Sequence, residues 1–307
     1  MADIHCTQLR RRFGKTVAVD GVDLAIASGA IYGLIGPDGA GKTTTLRMLA
    51  GVLKPDGGRA LIAGIDVNRR PERVRPLLGY MAQRFSLYPD LSVLENLQFY
   101  ADIFGVRGQE RRQRLERLLA FARLEAFSAR PAGYLSGGMK KKLGLACALI
   151  HRPAVLLLDE PTNGVDPISR REFWDILGDL HLEGVTILVS TPYMDEAERC
   201  QQVGLMHQGR LIRQGAPAQL RTLVPGQMLA LYTPDLLAAA TAVADFPDHR
   251  GHQVYGDRLH IFVPQAEAAL APLSAYLQAR QIAIDRLLPD EPRLEEAFIH
   301  LLGAVDK

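Results

Sequence analysis

The chain is 307 residues long, 48% apolar and 23% charged, with a formal net charge of +2. That composition is ordinary for one large or two moderate globular domains, and the near-balanced charge excludes binding to nucleic acid by bulk charge. The N-terminus does not read as a signal peptide, and no apolar run reaches the ~18 residues of a membrane span, so a membrane role would need another polypeptide to supply the span. Cys6, Cys147 and Cys200 show neither paired nor metal-ligand spacing, as suits a reducing cytoplasm.

Residues 4–26 alternate as strands about a turn at Gly14 and Lys15. Phe13 precedes that turn and reads as packing, the usual fate of a strand aromatic, with stacking on a base as the other use of such a ring. Residues 31–35 read as a buried strand and 44–50 as a helix. Between strand and helix, Gly36, Pro37, Asp38, Gly39, Ala40, Gly41, Lys42, Thr43 and Thr44 fit G-x-x-x-x-G-K-[ST]. Glycines let such a loop wrap until its N–H groups and the helix N-terminus face an anion. Lys42 would reach the β- and γ-phosphates, and Thr43 would offer its hydroxyl to Mg²⁺. The strand–loop–helix setting separates this loop from an ordinary glycine-rich turn, and the expected ligand is a nucleoside triphosphate.

Residues 59–65 read as a hairpin strand, and 77–81 as a buried strand ending at Gln83, an amide that could face the nucleotide or merely cap a loop. From 91 to 127 the apolar spacing turns helical, in two helices parted at 105–108. This predicts an inserted helical subdomain of about 88–152. Ser136, Gly137 and Gly138 open a long apolar helix, either as a flexible start or as a second anion site. The continuous apolar strand 155–158 leads into Asp159 and Glu160. Two carboxylates at the carboxyl end of a parallel strand lie where such folds bind ligands. Asp159 fits the acid that supports a metal, and Glu160 the base that orients water.

A helix over 167–182, a strand over 185–189, a short acidic helix from Met194 and strands near 203–207 and 211–214 complete a doubly wound α/β body. Residues 215–226 read as a linker. Beyond it lies a small α+β domain of two βα-like units, with strands at 228–232 and 258–263 and helices at 235–244, 266–278 and 294–302. Its His249, His252 and His260 show no ligand-like spacing and read as loop and strand histidines.

The phosphate loop, the run Leu135, Ser136, Gly137, Gly138 and the run Leu156 to Pro161, in that order, resemble the ATPase subunits of ATP-binding-cassette transporters. The resemblance covers residues 3 to about 215. It implies a P-loop NTPase cassette with a mostly parallel sheet core, an antiparallel β subdomain and the inserted helical subdomain, spanning 1–217. An accessory or regulatory domain would follow over 218–307. ATP and Mg²⁺ are the implied ligands, with Glu160 and Gln83 catalytic and Thr43, Gln83 and Asp159 around the metal. Phe13 matches the aromatic that stacks on adenine, and residues 163–166 match the segment that crosses a dimer interface. Ser136, Gly137 and Gly138 would face the phosphate loop of a second nucleotide-binding domain, in a homodimer, heterodimer or tandem half. The other implied partner is an integral-membrane subunit at the inner face of the cell membrane, with no nucleic acid. Residues 216–307, ending in the run from Leu294 to His300, resemble the C-terminal extension of drug or natural-product exporters, so small-molecule efflux is the expected task.

A soluble cassette acting on nucleic acid or ribosomes is the second class, but its coiled-coil insertions or basic inter-cassette linker are not seen. A kinase or GTPase, a third class, would lack Ser136–Gly138 and the paired acids. Two positions depart from the family pattern. Met139 replaces a glutamine, and Pro192 replaces the histidine that bonds the γ-phosphate. Proline has neither a side-chain donor nor an N–H, and His181 and His207 lie in other elements. The expectation is a site that holds ATP but hydrolyses it slowly, partnered by a different ATPase domain or forming the first half of a longer tandem chain; the rival is that Glu160 alone suffices and a homodimer turns over normally.

Overall fold

The computed structural model describes residues 2–84 and 87–305; Met1, Phe85, Ser86, Asp306 and Lys307, counted into the two expected domains, lie outside them. The chain divides into two compact units, 1–216 and 217–307.

In the first unit, β1 (Ala2–Phe13) and β2 (Thr16–Ala27) form a hairpin whose turn uses Gly14 at φ +58°. They are followed by β3 (Ile31–Ile35), α1 (Lys42–Leu49), β4 (Gly57–Ile62), β5 (Ile65–Asp66), α2 (Pro71–Val74) and β6 (Leu78–Met81). Three helices, α3 (Val93–Ile103), α4 (Gly108–Phe121) and α5 (Gly137–Leu149), are then inserted. The unit closes with β7 (Val155–Asp159), α6 (Pro167–Leu182), β8 (Thr186–Thr191), α7 (Met194–Ala197), β9 (Gln202–His207) and β10 (Arg210–Gly215).

These strands make two sheets, an antiparallel one in the order β2-β1-β4-β5 and a larger one in the order β10-β9-β3-β8-β7-β6. The larger sheet is parallel except for its β10 edge. Three of its four inner strands, β3, β7 and β8, are buried along their whole length, which is why they read as largely apolar runs rather than alternating ones. Between the sheets, Ile4, Leu9, Leu24 and Ile26 pack with Leu46 and Leu49 of α1 and with Leu34, Leu157 and Leu188. Each such side chain contributes roughly 1.5–3 kcal/mol by leaving water. This is the expected cassette architecture.

Register then positions the site. Ile35 pairs with Thr191, and Asp159 pairs with Ser190. Gly36, Glu160 and Pro192 therefore leave the sheet at the same end, one residue beyond these pairs.

The inserted helices are fixed by local chemistry. Ser92 and Glu95 form a reciprocal capping box at the start of α3. Asn96 is fully buried; its amide donates to the carbonyls of Tyr88, Leu91 and Ser92 and accepts from the Tyr88 N–H, pinning the loop before the helix. Ser136 caps α5, and Asp166 with Pro167 opens α6.

The second unit contains α8 (Pro217–Arg221), β11 (Gln227–Tyr232), α9 (Leu236–Ala244), β12 (Gly251–Tyr255), β13 (Arg258–Val263), α10 (Ala266–Gln278), β14 (Arg286–Asp290) and α11 (Leu294–Val305). Its sheet is antiparallel in the order β12-β13-β11-β14. From β11 to β14 it is a ferredoxin-like βαββαβ arrangement. That corrects the expectation of two βα-like units: β12 and β14 were not foreseen, and α8 occupies part of the expected linker. Leu229, Leu231, Leu259, Ile261, Leu273 and Leu277 form its core.

His249 lies in a loop, His252 on β12 and His260 on β13, as loop and strand histidines. His249 and His252 meet at 2.9 Å, and buried His260 donates from Nδ1 to Glu296 Oε1 at 2.9 Å beneath the Tyr255 ring. Among the described residues no cluster of His, Cys, Asp and Glu could hold a metal, and no helix is long and apolar enough to cross a membrane.

Candidate nucleotide site

The loop after β3 runs against the backbone of two neighbouring strands. A Cβ on Gly36 would lie 2.1 Å from the Met206 carbonyl oxygen, and one on Gly41 would lie 2.3 Å from that of Ala18. Only glycine fits either place. Pro37, Asp38 and Gly39 form the exposed outer turn, Ala40 is buried, and Thr43 and Thr44 stand half-buried on the first turn of α1.

Lys42 is 3% exposed. Its Nζ donates to the carbonyls of Gly36 (2.7 Å) and Pro37 (3.0 Å) and lies 3.5 Å from Glu160 Oε1. Thr43 Oγ1 donates to Asp159 Oδ1 at 2.9 Å, and Ser190 Oγ donates to the same oxygen at 2.8 Å. Asp159 Oδ2 is buried and accepts nothing. Burial lifts the Asp159 carboxyl above its ordinary range, opposed by the Ser190 and Thr43 hydroxyls and reinforced by the charge of Glu160. A buried carboxylate oxygen without a donor, beside a threonine hydroxyl, is oxygen-rich chemistry that fits a hard divalent cation.

Glu160 follows in a left-handed conformation, φ +46°. Its N–H is shared between the Ser190 carbonyl (3.1 Å) and hydroxyl (3.0 Å). Its carboxylate oxygen Oε2 accepts from Gln83 Nε2 at 2.7 Å and from Asn163 Nδ2 at 3.0 Å. Gln83 is therefore brought to the carboxylates rather than used as a loop cap.

Phe13 is 49% exposed, with the Arg11 guanidinium 5.0 Å from its ring centre. The packing reading is thereby corrected: the ring stands at the hairpin end, outside the core. Pro192 follows the last residue of β8. The turn there is anchored by buried Glu196, whose carboxylate accepts from Thr191 Oγ1 (2.7 Å) and Thr162 Oγ1 (2.6 Å). His181 is engaged with the Gly29 carbonyl and Gln201, and His207 sits on β9, so neither stands in for an imidazole at Pro192.

Ser136 and Gly137 are exposed, and Ser136 Oγ accepts from the Met139 N–H at 3.3 Å. Gly138 packs so closely on Ser169 that a Cβ would lie 2.7 Å from that side chain, and Gly137 faces the Gly164 carbonyl. The start of α5 is thus seated on α6, whereas the phosphate loop has Ala18, Met206 and Asp159 as neighbours.

A family model described as ABC transporter matches residues 19–163. The "Nod factor export ATP-binding protein I" of Burkholderia orbicola (strain AU 1054) is 38% identical over 305 residues, covering 99% of this chain and 98% of that protein. The chain belongs to the ABC transporter family. The "Probable multidrug ABC transporter ATP-binding protein YbhF" of Escherichia coli (strain K12) is 45% identical over 291 residues. That match covers 93% of this chain but 49% of the relative, so the chain spans about half the length of this curated protein. Among solved structures, "cbiO1 from clostridium perfringens" superposes with a TM-score of 0.66 at 30% identity, covering 72% of this chain and 91% of that one. A dimeric post-hydrolysis state of the cassette MJ0796, bound to ADP and Pi, gives 0.64 at 27% identity, covering 69% and 98%.

Within this ABC cassette, sequence reasoning missed three groups beside the carboxylates: Asn163, Ser190 and Lys141. Ser190 and Lys141 are remote from Glu160 in sequence but adjacent to it in space. The only signal open to inspection was the position of Asn163, three residues after Glu160 on the loop that leaves β7.

Proposed function

We propose that this chain binds ATP with Mg²⁺ at the loop of residues 36–44, hydrolyses it, and powers export through a separate integral-membrane subunit. The observation that carries the reading is Asp159, held by Thr43 and Ser190 through one oxygen with its other oxygen free, directly before Glu160. Lys42 and the α1 N-terminus would take the β- and γ-phosphates, and the exposed Phe13 ring would stack on adenine. Thr43, Asp159 and Gln83 would hold Mg²⁺, which supplies charge compensation to the phosphate oxygens. Glu160 would orient a water and accept its proton as the new O–P bond forms and the β–γ bridge bond breaks.

The relatives named for Nod factor and multidrug export support the efflux reading, and none favours the nucleic-acid alternative. The exposed Ser136 and Gly137, with the start of their helix seated on α6, support a sandwich in which they close the loop of a second nucleotide-binding domain. The dimeric structure of a related cassette supports the pairing of two such domains.

At Pro192 the site has no imidazole donor. Losing one such positioned hydrogen bond would cost ~10²–10³ in rate. The test is steady-state ATPase activity of the full chain, with ATP binding measured separately. Glu160→Gln should abolish turnover while retaining ATP, and Pro192→His should raise kcat by about 10-fold or more. Turnover undiminished in Glu160→Gln would overturn the catalytic assignment. No gain in Pro192→His would show that Glu160, Gln83 and Asn163 suffice as they stand.

A further inference from the structure

We infer that Lys141 is a positioning residue that ties the start of α5 to Glu160 and Gln83 of the same chain, so that whatever seats Ser136 and Gly138 also sets the carboxylate facing water. This rests on the ATPase reading above and adds to it a route by which one half-site senses the other.

Lys141 lies just over one turn beyond the Ser136 cap. Its Nζ donates to the Gln83 carbonyl at 2.8 Å and to the Glu160 carbonyl at 3.3 Å. Gln83 Nε2 in turn donates to the Glu160 carboxylate at 2.7 Å. Three hydrogen bonds among three residues therefore close a ring: ammonium to Gln83 backbone, Gln83 side chain to Glu160 side chain, Glu160 backbone to the ammonium. Because its donor is charged, the lysine makes stronger bonds than a neutral amide would. The Glu160 backbone needs such a hold, since a left-handed glutamate persists only where its surroundings fix it. Ser190 grips the N–H side of that residue and Lys141 the carbonyl side.

Burial works against a lysine here, drawing its pKa below the ordinary value, while the charges of Glu160 and Asp159 pull it back up. An ammonium kept at that cost, aimed at two carbonyls rather than at solvent, is a link and not a solvated surface charge. A second path runs parallel to it. Gly138 rests on Ser169 and Gly137 on the Gly164 carbonyl, in the same loop whose Asn163 donates to Glu160 Oε2. A shift of α5 would be felt at Glu160 through both.

The experiment uses the full chain with Lys141→Met, which keeps the apolar stem and removes the donor, and Lys141→Arg, which keeps donors. Thermal unfolding checks folding, a fluorescent ATP analogue gives Kd, and steady-state assays give kcat. Hydrogen exchange reports the backbone of residues 158–166. Displacing a reacting group by around an ångström costs up to ~10²-fold, so Lys141→Met should lower kcat by about 10–100-fold with Kd within about threefold. Exchange in 158–166 should rise, and Lys141→Arg should recover much of both. A folded Lys141→Met variant with unchanged kcat and unchanged exchange overturns the inference. So does a parallel loss of ATP affinity, which would make Lys141 a binding residue. If the wild type itself fails to turn over ATP, the ATPase reading falls, and the exchange comparison alone then decides whether Lys141 holds Glu160.

Discussion

Gly36 leaves room for the carbonyl of Met206 and for no side chain. That obstacle is backbone, so it cannot rotate away. Gly36→Ala should destabilise by the roughly 1–3 kcal/mol of an overpacked site, a fall of about 2–10 °C in melting temperature for a unit of this size. It should also weaken ATP binding, because the loop must shift; a melting curve within 1 °C of wild type, by about the precision of such scans, would contradict the clash. Gly36, Lys42, Thr43, Asp159 and Glu160 could all be read in the sequence, because each sits in a short motif flanked by a buried strand. Asn163, Lys141 and Ser190 could not. Their importance lies in a few ångströms of separation created by strand register and by the seating of α5. At Phe13 the strand pattern alone favours packing, because a strand aromatic usually packs, and the end of the hairpin leaves this one exposed.

Among the elements, helices with caps and fully buried strands declare themselves, whereas the two edge strands of the second unit do not. β12 reads Gly-His-Gln-Val-Tyr and β14 reads Arg-Leu-Leu-Pro-Asp; each lies at a sheet edge, where polar residues and proline are tolerated because one side of the ladder is unpaired. α11 joins that sheet through a buried pair, His260 with Glu296, the latter 2% exposed. For Glu296, burial works upward, but bonds from His260 and from backbone N–H groups outweigh it and hold the carboxyl below its ordinary value of 4.5. A depressed carboxyl pKa contributes stability that is present above the unfolded value and lost as pH falls through the folded one. The wild type should therefore melt higher than Glu296→Gln at pH 6, and the gap should close as the pH drops below about 4.5. A gap that persists unchanged at pH 3.5, or never exists, would sink this assignment.

On the scale of the whole chain, residues 1–216 carry every group placed at the nucleotide site, and residues 217–307 have a separate hydrophobic core. Each unit meets the size at which a domain folds by itself. A chain ending after Ala216 should fold with a cooperative transition and bind ATP within about threefold of the full-length Kd, since a few tenths of a kcal/mol is the usual spread for uncoupled changes. Loss of ATP binding in a folded truncated chain would show that the second unit supports the site.

Lys42 is held at both ends of a charge balance. Its ammonium is engaged by the carbonyls of its own loop and stands beside the carboxylate of Glu160. On the ATPase reading, a triphosphate that engaged Lys42 would have to replace these contacts, and would leave the carboxylate of Glu160 without its ammonium neighbour. The same movement that clasps the fuel would arm the base, making nucleotide capture and the readiness to cut it two faces of a single switch in charge pairing.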